Sequence, residues 1–357
     1  MPGLLTKTIP YSRQYITPED EAAVLEVLRS DYITRGPVTR QLEDALCELT
    51  GKKHVYVVSN GTVALWAALR VMAGTKIYTP TLTFAAIGNA AKLNFMDVFL
   101  SDVDDDTLCA EFEPSVYVED ELVMCPLDYA GYPSLRKALG IPTLLDACHA
   151  VGATLPDGSS NTKYADVAVC SGHAVKAITG AELGWIATDS DYYANGIKTF
   201  RDIGRIEGKH YTPALNLHTS EMNSALYLSQ LKRLPENLAR RRTIAAQYYQ
   251  AFGNDFRLIL PVDDPGHAWH LFVVRLSEHL NCSRDDFRKD LLELGVGSQV
   301  HYLPMHRQPL FHSDVSFPVA EHAYERMLSI PMYYGLTDEQ QDHVIESINR
   351  TLDKYSK

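Results

Sequence analysis

HVYVVSNGTVALWAALRVM, residues 54–72, decides the fold. Its first six residues are mostly β-branched or aromatic, as in a strand. Past Ser59-Asn60-Gly61-Thr62 the apolar positions switch to the three-to-four-residue spacing of a helix. Looser forms of the same unit follow at KIYTP (76–80), DVFLSDV (97–103), ELVMCPLDY (121–129), TLLDA (143–147), DVAVCS (166–171) and WIAT (185–188). Short apolar runs with helices between them predict an α/β fold with a mostly parallel central sheet covered on both faces.

Upstream, Thr17, Pro18 and Asp20 stand where a cap, a first-turn proline and an N3 carboxylate belong, ahead of the helical run AAVLEVL. The turn Thr34-Arg35-Gly36-Pro37 separates this helix from a second over 38–50. Beyond Thr188 the pattern becomes helical, with segments at 221–234 and 236–252 interrupted by Pro235, and Arg240-Arg241-Arg242 is assigned to a helix surface. The remainder carries two further expected strands, 270–276 and 298–303, and helices near 284–294, 320–328 and 337–355. A boundary falls near 235–255 and is drawn as a large domain, 1–240, and a small C-terminal α/β domain, 241–357.

With 357 residues, 46% hydrophobic and 22% charged, the chain has globular composition. Its net charge of −12 argues against a sequence-independent nucleic-acid binder, which needs a basic footprint. No apolar run has the length of a membrane span, and MPGLLTKTIPYSRQY lacks a signal-peptide core. Cys47, Cys109, Cys125, Cys148, Cys170 and Cys282 show no C-x-x-C spacing and read as reduced thiols of a cytoplasmic protein.

Four places suggest chemistry. Ser59-Asn60-Gly61-Thr62 joins strand to helix, where backbone N–H groups and the helix dipole suit a phosphate, although any βα turn looks similar. Asp146 ends a strand, where open α/β sheets bind ligands, and a helix cap reads equally well there. Lys176 in SGHAVK follows the next strand. Alone it is a solvated charge; with a buried aspartate and an anion cradle it completes the needs of pyridoxal phosphate: an amine, an acid for the ring nitrogen and a dianion site. Phe84 offers a ring face, or simply core.

Five blocks in order, YITPEDEAAVLEVLRSDYITRGP (15–37), VSNGTVAL (58–65), TPTLTFAA (79–86), LLDACHAVGA (144–153) and SGHAVKAITGAELG (171–184), resemble the DegT/StrS-type pyridoxal-phosphate sugar aminotransferases. The match extends to SIPMYYGLTDEQ (329–340), and LDYAG (127–131), NLHTSEMNSALYLSQLKRL (216–234) and GSQVHYLPMHRQPLF (297–311) are similar to the UDP-4-keto-sugar C4 aminotransferases. The resemblance implies the aspartate-aminotransferase fold (fold type I) and a pyridoxal 5'-phosphate cofactor. It implies Lys176 as the lysine bonded to that cofactor, Asp146 as the acid on the pyridine nitrogen, His149 beside the ring and Phe84 stacked on it. By the same resemblance Gly61, Thr62 and Ser171 bind the phosphate, with Asn216 supplied by the partner of a homodimer whose sites are shared. Thr34, His218, His301 and Tyr302 fall at substrate-binding positions. The implied reaction moves an amino group from glutamate to the C4 keto group of a nucleotide-linked 4-keto-6-deoxy sugar.

The chain departs from the family in places. His218 stands where Asn-x-Arg is common, so a permanent cation gives way to a group with an ordinary pKa near 6.5. Leu183 replaces the first glycine of Glu-Gly-Gly, and the segments 73–76, 107–121 and 132–142 look short. Alternatives remain: amino transfer at C3 of a 3-keto sugar, a metal-dependent glycosyltransferase using Asp102-Val103-Asp104-Asp105-Asp106, or a non-catalytic family member. The acidic run reads better as a solvated turn. His301, His306 and His312 lack the carboxylate and cysteine partners of a metal site.

Overall fold

A computed structural model describes residues 8–112 and 121–356. The first seven residues, part of the start read as lacking a signal core, and residues 113–120, inside the segment 107–121 expected to be short, lie outside the described residues.

Helix α1 (Pro18–Leu28) starts as its cap signals require, with the Thr17 N–H donating to Asp20 at 3.0 Å. Asp20 also ties the helix down: it is fully buried and accepts from Arg233 at 2.8 Å and from Gln230 at 3.2 Å. Helix α2 (Pro37–Thr50) has its N-terminus on another buried carboxylate, Glu221, which accepts the Val38 N–H at 2.7 Å. Such an anion complements the unpaired N–H groups of a first turn.

The central sheet contains β1 (His54–Val58), β2 (Lys76–Pro80), β3 (Asp97–Ser101), β4 (Leu122–Met124), β5 (Leu144–Asp146), β6 (Val167–Ser171) and β7 (Gly184–Thr188). Its order is β3-β2-β4-β5-β6-β7-β1, with parallel bridges Met124↔Thr143 and Leu127↔Asp146 joining the β4 and β5 halves. Only β7 runs antiparallel to its neighbours. Alternation divides the strand side chains between two cores. Val55 and Val57 of β1, with Trp185 and Ala187 of β7, pack against α2, whereas Val58 and Ile186 face α3 (Gly61–Met72), α4 (Ala86–Leu93) and α5 (Asp191–Arg201). A short exposed hairpin, β8 (Arg205–Ile206) and β9 (Lys209–His210), follows α5.

Helix α6 (Glu221–Leu231) leads into α7 (Leu234–Phe252), whose first turn accommodates Pro235, so the expected interruption is a helix start. Leu234 and Leu238 of α7 join the core beside α2, and Ile244, Ala245, Tyr248 and Phe252 join a separate core. That second core is built on the antiparallel sheet β10 (Leu258–Ile259), β11 (Phe272–Leu276) and β12 (Met327–Ile330), with α8 (Arg284–Glu293), α9 (Pro318–Arg326) and α10 (Asp338–Tyr355) around that sheet.

Three expectations are corrected. Arg241 is not on a helix surface: it is 2% exposed, bonded to Asn237 at 2.7 Å and to the carbonyls of Trp269 (2.9 Å), Met332 (3.2 Å) and His270 (3.3 Å). Residues 298–303 are not a strand; Gln299 makes one bridge to Ser329 and the chain then turns inward. The helix expected over 320–328 ends at Arg326, and Met327 and Leu328 enter β12 because they complete the core under β11.

Candidate active site

The C-terminal ends of β1, β5 and β6 and the inward turn at 299–302 enclose a cavity of about 680 Å³. At the end of β1 the Asn60 side chain accepts the Val63 N–H at 2.9 Å, capping α3 so that its first turn faces the cavity. Gly61 is required by space: a Cβ there would sit 2.8 Å from Ser171 Cβ and 3.2 Å from Ser171 Oγ. The end of β6 and the start of α3 thus approach as a backbone cradle for an anion, with the dipole of α3 behind it.

Asp146 closes β5 at 7% exposure, and Oδ1 accepts the Cys148 N–H at 3.0 Å. Burial raises its pKa, against the opposing pull of the Cys148 hydrogen bonds and the Lys176 charge. A cation entering the cavity beside it would favour the ionised form.

Lys176 sits on an excursion between β6 and β7 whose base is clamped. Ser171 pairs with Gly184, and the Gly172 N–H donates to the Leu183 carbonyl at 2.7 Å. Leu183, standing where the family has glycine, is fully buried in the core.

His149 is 4% exposed; its Nδ1 accepts the Ala130 N–H at 3.3 Å and its Nε2 lies 2.9 Å from the Tyr302 hydroxyl. Burial first, then Lys176 and His301, hold it well below the ordinary histidine range, so the ring is neutral. His301 bonds Ser329 through Nδ1 at 2.8 Å, and burial pushes its pKa down to about 4. The Phe84 ring is exposed at the cavity mouth, 5.5 Å from that of Tyr302, and does not belong to the core.

Nine of the candidate residues therefore line one cavity: Gly61, Thr62 and Ser171 at the cradle, Asp146, His149 and Lys176 beyond it, and Phe84, His301 and Tyr302 around the opening. Thr34, Asn216 and His218 do not line it. Thr34 bridges Ser220, Asn216 bridges Asp202, and His218 lies 3.7 Å from Asp202. His218 also departs from the expected pKa near 6.5. Burial, then Arg201 and Arg35, push it down to about 4 despite Asp202, leaving it neutral near pH 7.

The cavity also recruits Tyr11 and His270, neither of which carries a local signal for a site. His270 opens an apolar run whose pattern signals only a strand; its ring lies 4.7 Å from that of His149.

The acidic run serves the protein itself. Asp102 caps α9 through the N–H groups of Ala320 (2.8 Å) and Val319 (3.0 Å), Asp104 accepts from Thr107 at 2.8 Å, and Asp105 pairs with Arg275. His306 lies between Thr81 and Glu321, and His312 is exposed. Among the described residues no cluster of three or more histidine, cysteine, aspartate or glutamate side chains is arranged to hold a metal ion. No described helix is long and apolar enough to cross a membrane.

A seven-stranded sheet with one antiparallel strand, carrying an amine, a buried carboxylate and an anion cradle at one end, defines an aminotransferase of fold type I, a class whose cofactor is pyridoxal phosphate. The sequence model of the DegT/DnrJ/EryC1/StrS aminotransferase family matches residues 14–349, and the chain belongs to that family. Among solved structures it is similar to Helicobacter pylori PseC, an aminotransferase involved in the biosynthesis of pseudoaminic acid. The two are 26% identical over 98% of this chain and 100% of that one, with a TM-score of 0.90. The aminotransferase TlmJ from Streptoalloteichus hindustanus matches at 25% identity over 97% of this chain and 99% of that one, also at 0.90. The putative sugar aminotransferase Spr1654 from Streptococcus pneumoniae, in its PLP form, has the same fold at 24% identity, 97% and 99% coverage and a TM-score of 0.88.

Proposed function

We propose that this aminotransferase moves an amino group from glutamate to the C4 keto group of a nucleotide-linked 4-keto-6-deoxy sugar. The observation that carries the reading is the convergence of Lys176, Asp146 and the Gly61–Ser171 cradle on one cavity in a chain of this family. Similarity to PseC supports a sugar as the amino acceptor.

The residues fit pyridoxal phosphate. The close approach of Gly61 to Ser171 sets the first turn of α3 beside the Ser171 side chain at one end of the cavity, which suits a phosphate against Gly61, Thr62 and Ser171, and the buried carboxyl of Asp146 suits a protonated ring nitrogen. Lys176 provides the amine that bonds the cofactor, and Phe84 and His149 provide ring faces. Bound there, the cofactor supplies an electron sink for the carbon that loses its proton. Lys176 Nζ, the one amine among the lining residues, takes that proton and returns it. Asp146 keeps its positive partner charged throughout, and neutral His149 adds no competing charge.

In this reading the enzyme is a cytoplasmic homodimer with shared sites. The segment carrying Asn216 exposes Ile206, Tyr211 and Leu215, an apolar group that a second copy would cover, and the six cysteines are free thiols, as a reducing compartment requires. The division into 1–240 and 241–357 belongs to the same reading, with α7 as the connection between two cores.

The test combines chemistry and substrate scope. Protein loaded with pyridoxal phosphate should absorb as a bound cofactor, and borohydride should fix the adduct on Lys176. UDP- and dTDP-linked 4-keto and 3-keto sugars should then be offered with glutamate. Conversion of a 4-keto sugar is the expected result; an adduct on Lys163, or turnover of 3-keto sugars alone, overturns the reading.

A further inference from the structure

Behind one wall of the cavity a backbone turn sets the direction of a short run of hydrogen bonds. Asp128 is fully buried behind Asp146. Its Oδ1 accepts from the Ser134 N–H and hydroxyl, and its Oδ2 from the Asn161 amide, each at 2.7 Å. These bonds fix the turn at Tyr129-Ala130-Gly131, where Ala130 takes a left-handed φ of 56° and aims its N–H at His149 Nδ1.

A backbone N–H can only donate. His149 Nδ1 must therefore present its lone pair, and the ring proton resides on Nε2. That Nε2–H donates to the Tyr302 hydroxyl oxygen at 2.9 Å. The phenol oxygen is thereby an acceptor toward His149, and its own hydrogen must find another partner. Among the described residues no protein group accepts it. The side chain is set between the rings of His301 (5.0 Å) and Phe84 (5.5 Å), and it lines the cavity.

We propose that Tyr302 is a hydrogen-bond donor of fixed direction, offering its hydroxyl hydrogen to an acceptor oxygen of the molecule bound in the cavity, and that Asp128, the Ala130 turn and His149 are the positioning residues behind it. The inference rests on the aminotransferase reading for the identity of that molecule. Two sources present the needed chemistry: an oxygen of the cofactor, or a carbonyl or hydroxyl oxygen of the keto sugar.

The test begins with a readout that needs no ligand. Nitrogen-15 histidine NMR of the full chain, with the His149 signals assigned by their loss in His149→Gln, should show a neutral ring carrying its proton on Nε2 near pH 7. A proton on Nδ1, or a charged ring, overturns the proposal. Tyr302→Phe then removes the donor while keeping the ring. With pyridoxamine phosphate alone as probe, binding about tenfold weaker places the acceptor on the cofactor. Unchanged binding of that probe, with KM for a UDP-linked 4-keto-6-deoxy sugar raised about tenfold, places it on the substrate. If neither changes, the proposal is overturned. Should the wild type convert no keto sugar, the functional reading fails and the tautomer and the pyridoxamine phosphate titration decide the donor by themselves. Asp128→Asn keeps the size but sets an NH2 against a donor, Ser134 or Asn161. It should mix the two His149 tautomers in a protein that still folds; a wild-type His149 pattern there removes Asp128 from the chain.

Discussion

Gly61→Ala tests whether the cradle is defined by backbone contact. The added Cβ would lie 2.8 Å from Ser171 Cβ, roughly 1 Å inside the ordinary carbon–carbon separation. Neither side yields easily, since Ser171 ends a strand paired to β7 and Gly61 opens a helix capped by Asn60. Overpacking of this kind costs ~2 kcal/mol. An unfolding entropy of about 2.1 cal/mol/K per residue, over 357 residues, converts that to a fall in Tm of about 3 °C. Displacing the first turn of α3 also forfeits at least one charge-assisted hydrogen bond, weakening pyridoxamine phosphate about 10- to 100-fold. Calorimetry and fluorescence titration read the two effects. Ser171→Gly removes the atom that is struck, so in its background Gly61→Ala should cost almost nothing in Tm, a coupling the double-mutant cycle isolates. A single variant that melts and binds like the wild type, or a penalty that persists after Ser171→Gly, would refute the steric reasoning.

Asp146→Asn should fold normally yet lose turnover by orders of magnitude, because an amide cannot hold a pyridinium in charge; near-normal transamination would reduce Asp146 to a loop cap. Lys176→Ala and Asn216→Ala, each inactive, should regain activity on mixing and subunit exchange, each mixed dimer having one intact site; no rescue after proven exchange speaks against Asn216. His218, pushed down to about 4 by burial, Arg201 and Arg35, is neutral above pH 5 despite facing Asp202, so His218→Gln should leave the shape of the pH–rate profile from 5.5 to 8 unchanged, and a lost limb in that window would place its pKa higher. Burial alone would raise the Asp20 carboxyl, but Arg233, Ser229 and the Thr17 N–H hold it below the usual range, so its contribution exists above that range and fades as pH falls. Arg233→Ala strands that buried charge at a cost of about 3–5 kcal/mol at pH 7, and the deficit in denaturant melts should narrow under acid.

The sheet was legible because each strand is a short apolar run ended by turn residues, and the cavity because Lys176 and Asp146 fall at strand exits. What stayed hidden depends on distant partners. Residues 298–303 alternate like a strand, yet only Gln299 finds a neighbour, and the rest turn in to deliver His301 and Tyr302. Arg241 belongs to a basic triplet, and nothing local reveals the three carbonyls that bury it. His270 and Tyr11 reach the cavity from chain segments with no spacing relation to Lys176. Asn216 and His218 meet Asp202, and Thr34 bridges Ser220, instead of lining the cavity, an arrangement that no pattern in one chain announces.

The antiparallel placement of β7 has a bearing on how this protein can change. Ser171 and Gly184 face each other across a single rung, so the chain that bears Lys176 leaves the sheet and returns at the same point. The register of the strands is therefore set independently of what the loop carries at its exposed positions, while Ala177, Ile178 and Leu183 anchor the rest of it in the core. Substitutions at the exposed His173 and Glu182 of this loop, which line the cavity, would change its wall without disturbing either core. Exchanging the amine for another side chain would abolish one chemistry and leave a folded scaffold with its anion cradle and acid in place, open to a different reaction.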